Sequence, residues 1–226
     1  MEPSTPSVGL CVSHLFWMSS PLADADAALE AIATLEAGDD QVVTVSMLGH
    51  KSDLCTLVLS RDLWRIRAFQ TAMAAAGFDL VDSYQSVTET SEYATHVPEE
   101  AKQARLYPQL PIVGKDVFCF YPMSKRRNVG ANWYALDYDE RMRLMMEHGK
   151  SGRSFAGRVT QLITGSTGLD DYEWGVTLFC VHVDDVKEIV YTMRYDEASA
   201  QYGEFGTFYI GTVASPAEVL DSLGVG

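Results

Sequence analysis

The strongest constraint in this sequence is an element order that occurs twice. In the first half, "VGLCVSHLFWM" (8–18) is rich in β-branched and aromatic residues and reads as a strand. "LADADAALEAIATLEAG" (22–38) carries Leu29, Ile32 and Leu35 at helical spacing, with Asp24 or Asp26 as N-cap and Gly38 as stop. "QVVTVSMLG" (41–49) and "DLCTLVLS" (53–60) are strands joined by a short turn. Residues 62–76 place Leu63, Ile66, Phe69 and Met73 on one helical face, and 78–93 alternates as a strand. The order is β-α-β-β-α-β, a ferredoxin-like unit.

The second half repeats it with different residues. Strands are expected at 115–125, 155–165, 173–183 and 205–212, and helices at 137–149 and 184–203. The first of these helices opens on a D-x-x-E pattern, Asp137 to Glu140, and meets Gly149 as a stop. The second carries Val186, Ile189, Val190 and Met193 as its apolar stripe. The expected fold is α+β, with two fused ferredoxin-like (βαββαβ) units. The N-terminal unit spans 8–93, a proline-bearing connecting segment spans 94–114, and the C-terminal unit spans 115–212. Each open sheet, covered by helices on one face, must bury its other face against a second sheet or another subunit.

Composition narrows the function. Lys+Arg 17 against Asp+Glu 31 gives a net charge of −14, which disfavours general nucleic-acid binding. No apolar run reaches the roughly 18 residues of a membrane helix. The start "MEPSTPSVG" lacks a basic stretch followed by an apolar core, so no signal peptide and a cytoplasmic location are expected. Cys11, Cys55, Cys119 and Cys180 are scattered without a CxxC pair and read as reduced, buried residues.

Against that acidic background, "CFYPMSKRRN" (119–128) gathers three cations. On a strand, Tyr121, Met123 and Lys125 share one face, while Pro122 favours an edge or a bulge. The run is either an amphipathic edge strand with solvated charges or a site offering a phenol, a thioether and an ammonium in a row. His148 continues the apolar face of Leu144 and Met145 at a helix end. It is either a dipole-friendly cap or a metal ligand. With no second His or Cys at ligand spacing, a single protein ligand suits haem iron better than a bare ion. Gln161 lies between Val159 and Ile163 on an apolar strand face, so its amide needs a partner or a ligand. Arg105, Arg153, Arg158 and Arg194 are scattered cations that each read alone as surface residues or ion pairs. "GSTGLDDYEWGV" (165–176) fits no phosphate-binding loop and reads as a hairpin connection.

Together, "FYPMSKRR", "NWYAL", "ERMRLMMEHGKSGR", "QLITGSTGLDDYEWGVTLF" and "VYTMRYDEASAQYGEFGTFYIG", preceded by "GHKSDL" and "ARLYPQLP", resemble the coproheme decarboxylases of the chlorite dismutase-like haem protein superfamily. The resemblance is dense from about 105 to 211 and continuous but weaker over 8–104. It implies a dimeric α/β-barrel fold, a homopentamer and binding of iron coproporphyrin III (coproheme). The implied reaction uses hydrogen peroxide to convert two propionates to vinyls, giving haem b. The resemblance further implies His148 as the proximal iron ligand and Tyr121 as the radical-forming tyrosine. Lys125 falls beside the second reacting propionate, and Arg105, Met123, Arg194 and Ser199 fall at propionate contacts. Gln161 falls at the distal position, where chlorite-degrading relatives carry arginine, so chlorite is not the expected substrate. His96 is the one residue of the connecting segment that could stand in for a distal histidine. Transient contact with a coproporphyrin ferrochelatase is a further implied partnership. The alternatives are a non-catalytic haem- or porphyrin-binding protein or a haem peroxidase of the same superfamily, and a cofactor-free protein in which His148 only caps its helix.

Overall fold

The computed structural model describes residues 2–94 and 97–225. In chain order the first half builds β1 (Cys11–Ser19), α1 (Ala25–Glu36), β2 (Gln41–Met47), β3 (Leu54–Ser60), α2 (Leu63–Ala75) and β4 (Phe78–Thr88). A helix, α3 (Glu99–Leu106), precedes β5 (Val117–Lys125), a small hairpin of β6 (Arg127–Asn128) and β7 (Ala131–Asn132), and α4 (Tyr138–Arg153). Then come β8 (Val159–Gly165), β9 (Trp174–Cys180), α5 (Val183–Met193), α6 (Glu197–Tyr202), β10 (Gly203–Phe205), β11 (Tyr209–Val213) and α7 (Pro216–Ser222).

The strands close into a barrel. β1 pairs with β3 and β4, β4 with β8, β8 with β9, β9 with β5, β5 with β11, β11 with β2, and β2 returns to β3. All these ladders are antiparallel. The two expected sheets are thus joined edge to edge, which removes their exposed edges. Alternation along β5 then sorts its side chains. Phe118 and Phe120 point into the barrel with Phe16, Leu57, Tyr84 and Phe179. Cys119, Tyr121 and Met123 point outward, beneath a layer that includes Val186, Ile189 and Phe208. The site residues of β5 therefore lie between the barrel wall and the helices.

Several expectations change. Pro122 does not mark an edge: β5 has neighbours on both sides. Proline is accommodated because β11 leaves the ladder at Phe120 and β10 joins only at Met123. In the gap Pro122 gives only its carbonyl, to the Gly206 N–H at 2.8 Å. Gly149 does not stop its helix, which runs on to Arg153, and Asp137 takes the N-cap position without a side-chain capping bond. The expected helix 184–203 breaks at Arg194 and restarts when Asp196 caps α6. Leu63, expected on a buried face, is 47% exposed, while Ile66, Phe69 and Met73 are buried. All four cysteines are free and buried, as expected.

Candidate functional site

The outward face of β5 ends in three chemically distinct side chains. Tyr121 stacks on Phe208, with ring centroids 4.4 Å apart, and meets Phe205 edge-on at 5.9 Å. Burial, and more weakly Cys119, push its phenol above the usual tyrosine value, while Arg194 pulls the other way. The phenol therefore stays protonated through neutral pH. Met123 is partly buried in the same layer. Lys125 is buried: its ammonium donates to the Ala198 carbonyl at 3.0 Å and lies 4.5 Å from the Trp133 ring centroid. Burial lowers its pKa to about 8, against the pull of Asp196 and Glu173. An ammonium has three donors, so this contact leaves two.

His148 projects from α4 toward α6. Its Nδ1 lies 2.8 Å from Asp196 Oδ2, and the Ser199 hydroxyl is 3.2 Å from the same oxygen. The Asp196 side chain is 3% exposed and also accepts the Ser199 N–H that caps α6. Burial alone would raise the Asp196 carboxyl, but the His148 ring and the Ser199 bonds outweigh it and hold the group below its usual value. An ionised carboxylate only accepts, so Nδ1 carries the proton. In the neutral ring the Nε2 lone pair is then free, and Nε2 forms no hydrogen bond among the described residues. Arg143, which bonds both Glu140 and Glu197, ties α4 to the first turn of α6 and fixes the approach. Asp196 had no functional reading from sequence. Its signal was an Asp three residues before Ser199, an N-cap pattern inside what looked like one helix.

A cleft of about 620 Å³ lies beside these two groups, and its lining includes neither Tyr121 nor His148. Ser199 connects it to His148, and Phe208, stacked on Tyr121, connects it to β5. Arg194 and Arg126 also line it. The Arg194 guanidinium lies 4.6 Å from the Phe205 ring centroid. Gln161 is exposed on β8, with its side-chain nitrogen close to Gly152 near the end of α4. Arg105 is exposed on α3, and no described hydrogen bond or ion pair links it to the other candidates. Arg158 is taken up by Asp185 and Glu188. His96 lies outside the described residues. The geometry thus gathers Tyr121, Met123, Lys125, His148, Arg194 and Ser199, sets Gln161 beside α4, and leaves Arg105 apart.

Chemically, the cleft offers guanidiniums and a hydroxyl for carboxylates, with the His148 imidazole behind Ser199 and a protonated phenol behind Phe208. No group of three or more metal-ligating residues occurs among the described residues, and no described helix is long and apolar enough to cross a membrane.

The family described as "Chlorite dismutase" matches residues 22–214. A coproheme decarboxylase from Staphylococcus carnosus is 42% identical over 195 residues, spanning 82% of this chain and 76% of that protein. A putative heme-binding protein from Haloquadratum walsbyi is 43% identical over 205 residues, spanning 84% of this chain and 38% of its own length. Among solved structures, a heme-binding protein from Thermus thermophilus superposes with a TM-score of 0.84 at 35% identity, covering 99% of both chains. A mutant chlorite dismutase from Candidatus Nitrospira defluvii shares the fold, with a TM-score of 0.76 at 19% identity over 96% of both chains.

Proposed function

This chain belongs to the chlorite dismutase family, and from that premise we propose that it is a coproheme decarboxylase. It binds iron coproporphyrin III between Tyr121 and His148 and converts two of its propionates to vinyls, giving haem b. One observation carries the reading: a single cleft meets Ser199, bonded into the His148–Asp196 pair, and Phe208, stacked on Tyr121. The 42% identity to a protein named coproheme decarboxylase supports the same substrate.

The residues fit the group. His148 has its Nδ1 engaged by a carboxylate and its Nε2 free, the arrangement that orients an imidazole toward a metal and raises its basicity. Arg194 and Ser199 offer donors to propionates, and Phe205 and Phe208 offer an aromatic surface to a porphyrin face. Lys125, with two uncommitted donors, is the cation beside the second reacting propionate, and Met123 packs between it and Tyr121.

When bound, the iron porphyrin supplies the redox chemistry, with hydrogen peroxide as oxidant. Tyr121 is the residue that is oxidised. Its raised pKa means that electron and proton leave together, and an ionised propionate in hydrogen-bond reach is a suitable proton acceptor. The tyrosyl radical takes a hydrogen atom from the propionate β-carbon and becomes a phenol again. Loss of one more electron from the substrate releases carbon dioxide and leaves the vinyl. Each cycle thus removes two electrons, the number one peroxide accepts. Gln161, an amide with no metal-ligating tendency, hydrogen-bonds the incoming peroxide. In this reading the 115–212 unit carries the chemistry, the 8–93 unit completes the barrel, and 94–114 connects them. A homopentamer acting in the cytoplasm belongs to the same proposal, as does transient contact with a coproporphyrin ferrochelatase.

A second reading, non-catalytic porphyrin binding, draws on the relatives named only for binding heme. One experiment separates them: titrate the protein with ferric coproheme while following the Soret band, then add peroxide and weigh the recovered porphyrin by mass spectrometry. Conversion of two propionates supports the decarboxylase. A Soret shift with an unchanged porphyrin mass supports the carrier, and no Soret shift removes both.

A further inference from the structure

Lys51 has no part in the reaction as derived from Tyr121, Lys125 and His148. It lies in the "GHKSDL" loop (49–54) between β2 and β3. The base of that loop is fixed. The Asp53 carboxylate accepts from the Ser19 N–H at 2.9 Å and the Ser19 hydroxyl at 2.8 Å, and the Asp53 N–H donates to the Trp17 carbonyl at 2.8 Å. From there Lys51 reaches across to the other half of the barrel. Its ammonium donates to the Phe208 carbonyl and lies 5.4 Å from the centroid of the Tyr209 ring. That ring is itself held: it stacks 3.8 Å from Phe16, and its hydroxyl donates to Asp82.

Strand geometry explains why the Phe208 carbonyl takes a side-chain donor. Backbone carbonyls two residues apart face the same neighbour. The Ile210 carbonyl accepts from the Leu48 N–H at 2.9 Å, just past the end of β2. Two residues earlier, the Phe208 carbonyl faces the same side, where the strand has already ended, and the Lys51 ammonium takes the place of the missing backbone N–H. Phe208 also closes the connection 206–208 between β10 and β11, and its ring stacks on Tyr121 at 4.4 Å. The charge of Lys51 is felt in the same layer. Burial and Cys180 push the Cys119 thiol up to about 12, and Lys51 pulls it the other way.

We propose that Lys51 is a positioning residue for Tyr121: by holding the Phe208 carbonyl, the N-terminal unit fixes the ring against which the phenol lies. The inference rests on Tyr121 being the residue oxidised in the decarboxylation. A ring held at stacking distance covers one face of the phenol and keeps it in one orientation, which is what a reaction with a single propionate carbon needs. A charged donor makes the stronger tether where no strand is left to pair.

The test follows Tyr121 in the ligand-free protein by fluorine NMR. All tyrosines are replaced by 3-fluorotyrosine, and two resonances are assigned by their loss in Tyr121→Phe and Tyr84→Phe. Phe208→Leu gives the position of the Tyr121 resonance without its stacking partner. Lys51→Met is expected to move that resonance toward the same position and to leave Tyr84, inside the barrel, in place. With coproheme bound, Lys51→Met should keep its affinity, read from the Soret band, and lose about three- to tenfold in decarboxylation rate. Lys51→Arg, which keeps a charged donor, should restore both. Lys51 is exposed, so Lys51→Met should melt as the wild type does. A Tyr121 resonance that stays in place, a general loosening that moves Tyr84 as well, or a moved resonance with an unchanged rate each overturns the role of Lys51 alone. Haem b from Tyr121→Phe at the wild-type rate overturns the reading of Tyr121, and the role of Lys51 with it.

Discussion

Nδ1 of His148 lies 2.8 Å from Oδ2 of Asp196, joining α4 to the start of α6 across 48 residues of sequence. The pair fixes the imidazole tautomer and leaves Nε2 without a hydrogen bond among the described residues. Asp196→Asn isolates this effect, because asparagine caps helices as well as aspartate. The variant should lose about 10- to 100-fold in affinity for ferric coproheme and shift the iron–histidine stretching frequency. An unchanged affinity and an unchanged stretch would make the pair purely structural.

Lys125 gives a pH signature. Its pKa of about 8 makes it a cation below that pH and neutral above it. Propionates are ionised throughout this range, so losing the cation weakens anion binding as pH rises. Fluorescence titration with metal-free coproporphyrin avoids hydroxide binding to iron. Affinity should fall between pH 7 and 9 in the wild type, and the slope should vanish in Lys125→Met. A slope that persists in the variant belongs to another group.

His14 predicts acid sensitivity of the barrel itself. It is fully buried inside the barrel, stacked 4.0 Å from Phe120, with Nε2 2.8 Å from the Thr177 hydroxyl and Nδ1 without a partner among the described residues. Burial drops its pKa to about 3, against 6.5 for the unperturbed side chain. The unfolded chain therefore binds the extra proton below pH 6.5, and stability is lost as pH falls from there toward 3. The loss approaches 1.4 kcal/mol per pH unit, about 2–3 kcal/mol by pH 4.5. His14→Phe should flatten that part of the stability profile in denaturant titrations at pH 7 and 4.5. An equal slope in both proteins would assign the loss to carboxylates such as Asp196, whose lowered pKa acts at more acid pH.

Gln161 is exposed, so Gln161→Ala should leave thermal unfolding within about 0.5 kcal/mol of the wild type. The rate of peroxide consumption by the coproheme complex should fall severalfold without vanishing. A complete loss of turnover would give the amide a larger role than a hydrogen bond to peroxide.

The doubled element order and the shared face of Tyr121, Met123 and Lys125 were legible because both follow from local period: 3.6 for helices, two for strands. Barrel closure was not, because which strand edges meet depends on contacts far apart in sequence, such as Val87 opposite Gly165 and Gly211 opposite Met47. Gly149 looked like a stop, yet glycine ends a helix only where the backbone turns left-handed, and Gly149 is not among the positive-φ positions. The break at Arg194–Asp196 was hidden because the apolar stripe of α5 runs into the polar start of α6 without a glycine or proline. Missing it concealed Asp196, and with it the support for His148. Arg126 could not be told from Arg127 in sequence. In the structure Arg126 lines the cleft, while Arg127 sits exposed on the small hairpin.

The central claim is that one cleft lies between Phe208, with Tyr121 behind it, and Ser199, with His148 behind it, and that Tyr121 oxidises what is bound there. It is tested most directly by comparing Tyr121→Phe with the wild type, both loaded with ferric coproheme and titrated with hydrogen peroxide, by the mass of the porphyrin recovered. The wild type should return haem b, and the variant should show an unaltered Soret band before peroxide and keep both reacting propionates afterwards. Haem b from the variant at the wild-type rate would contradict the account.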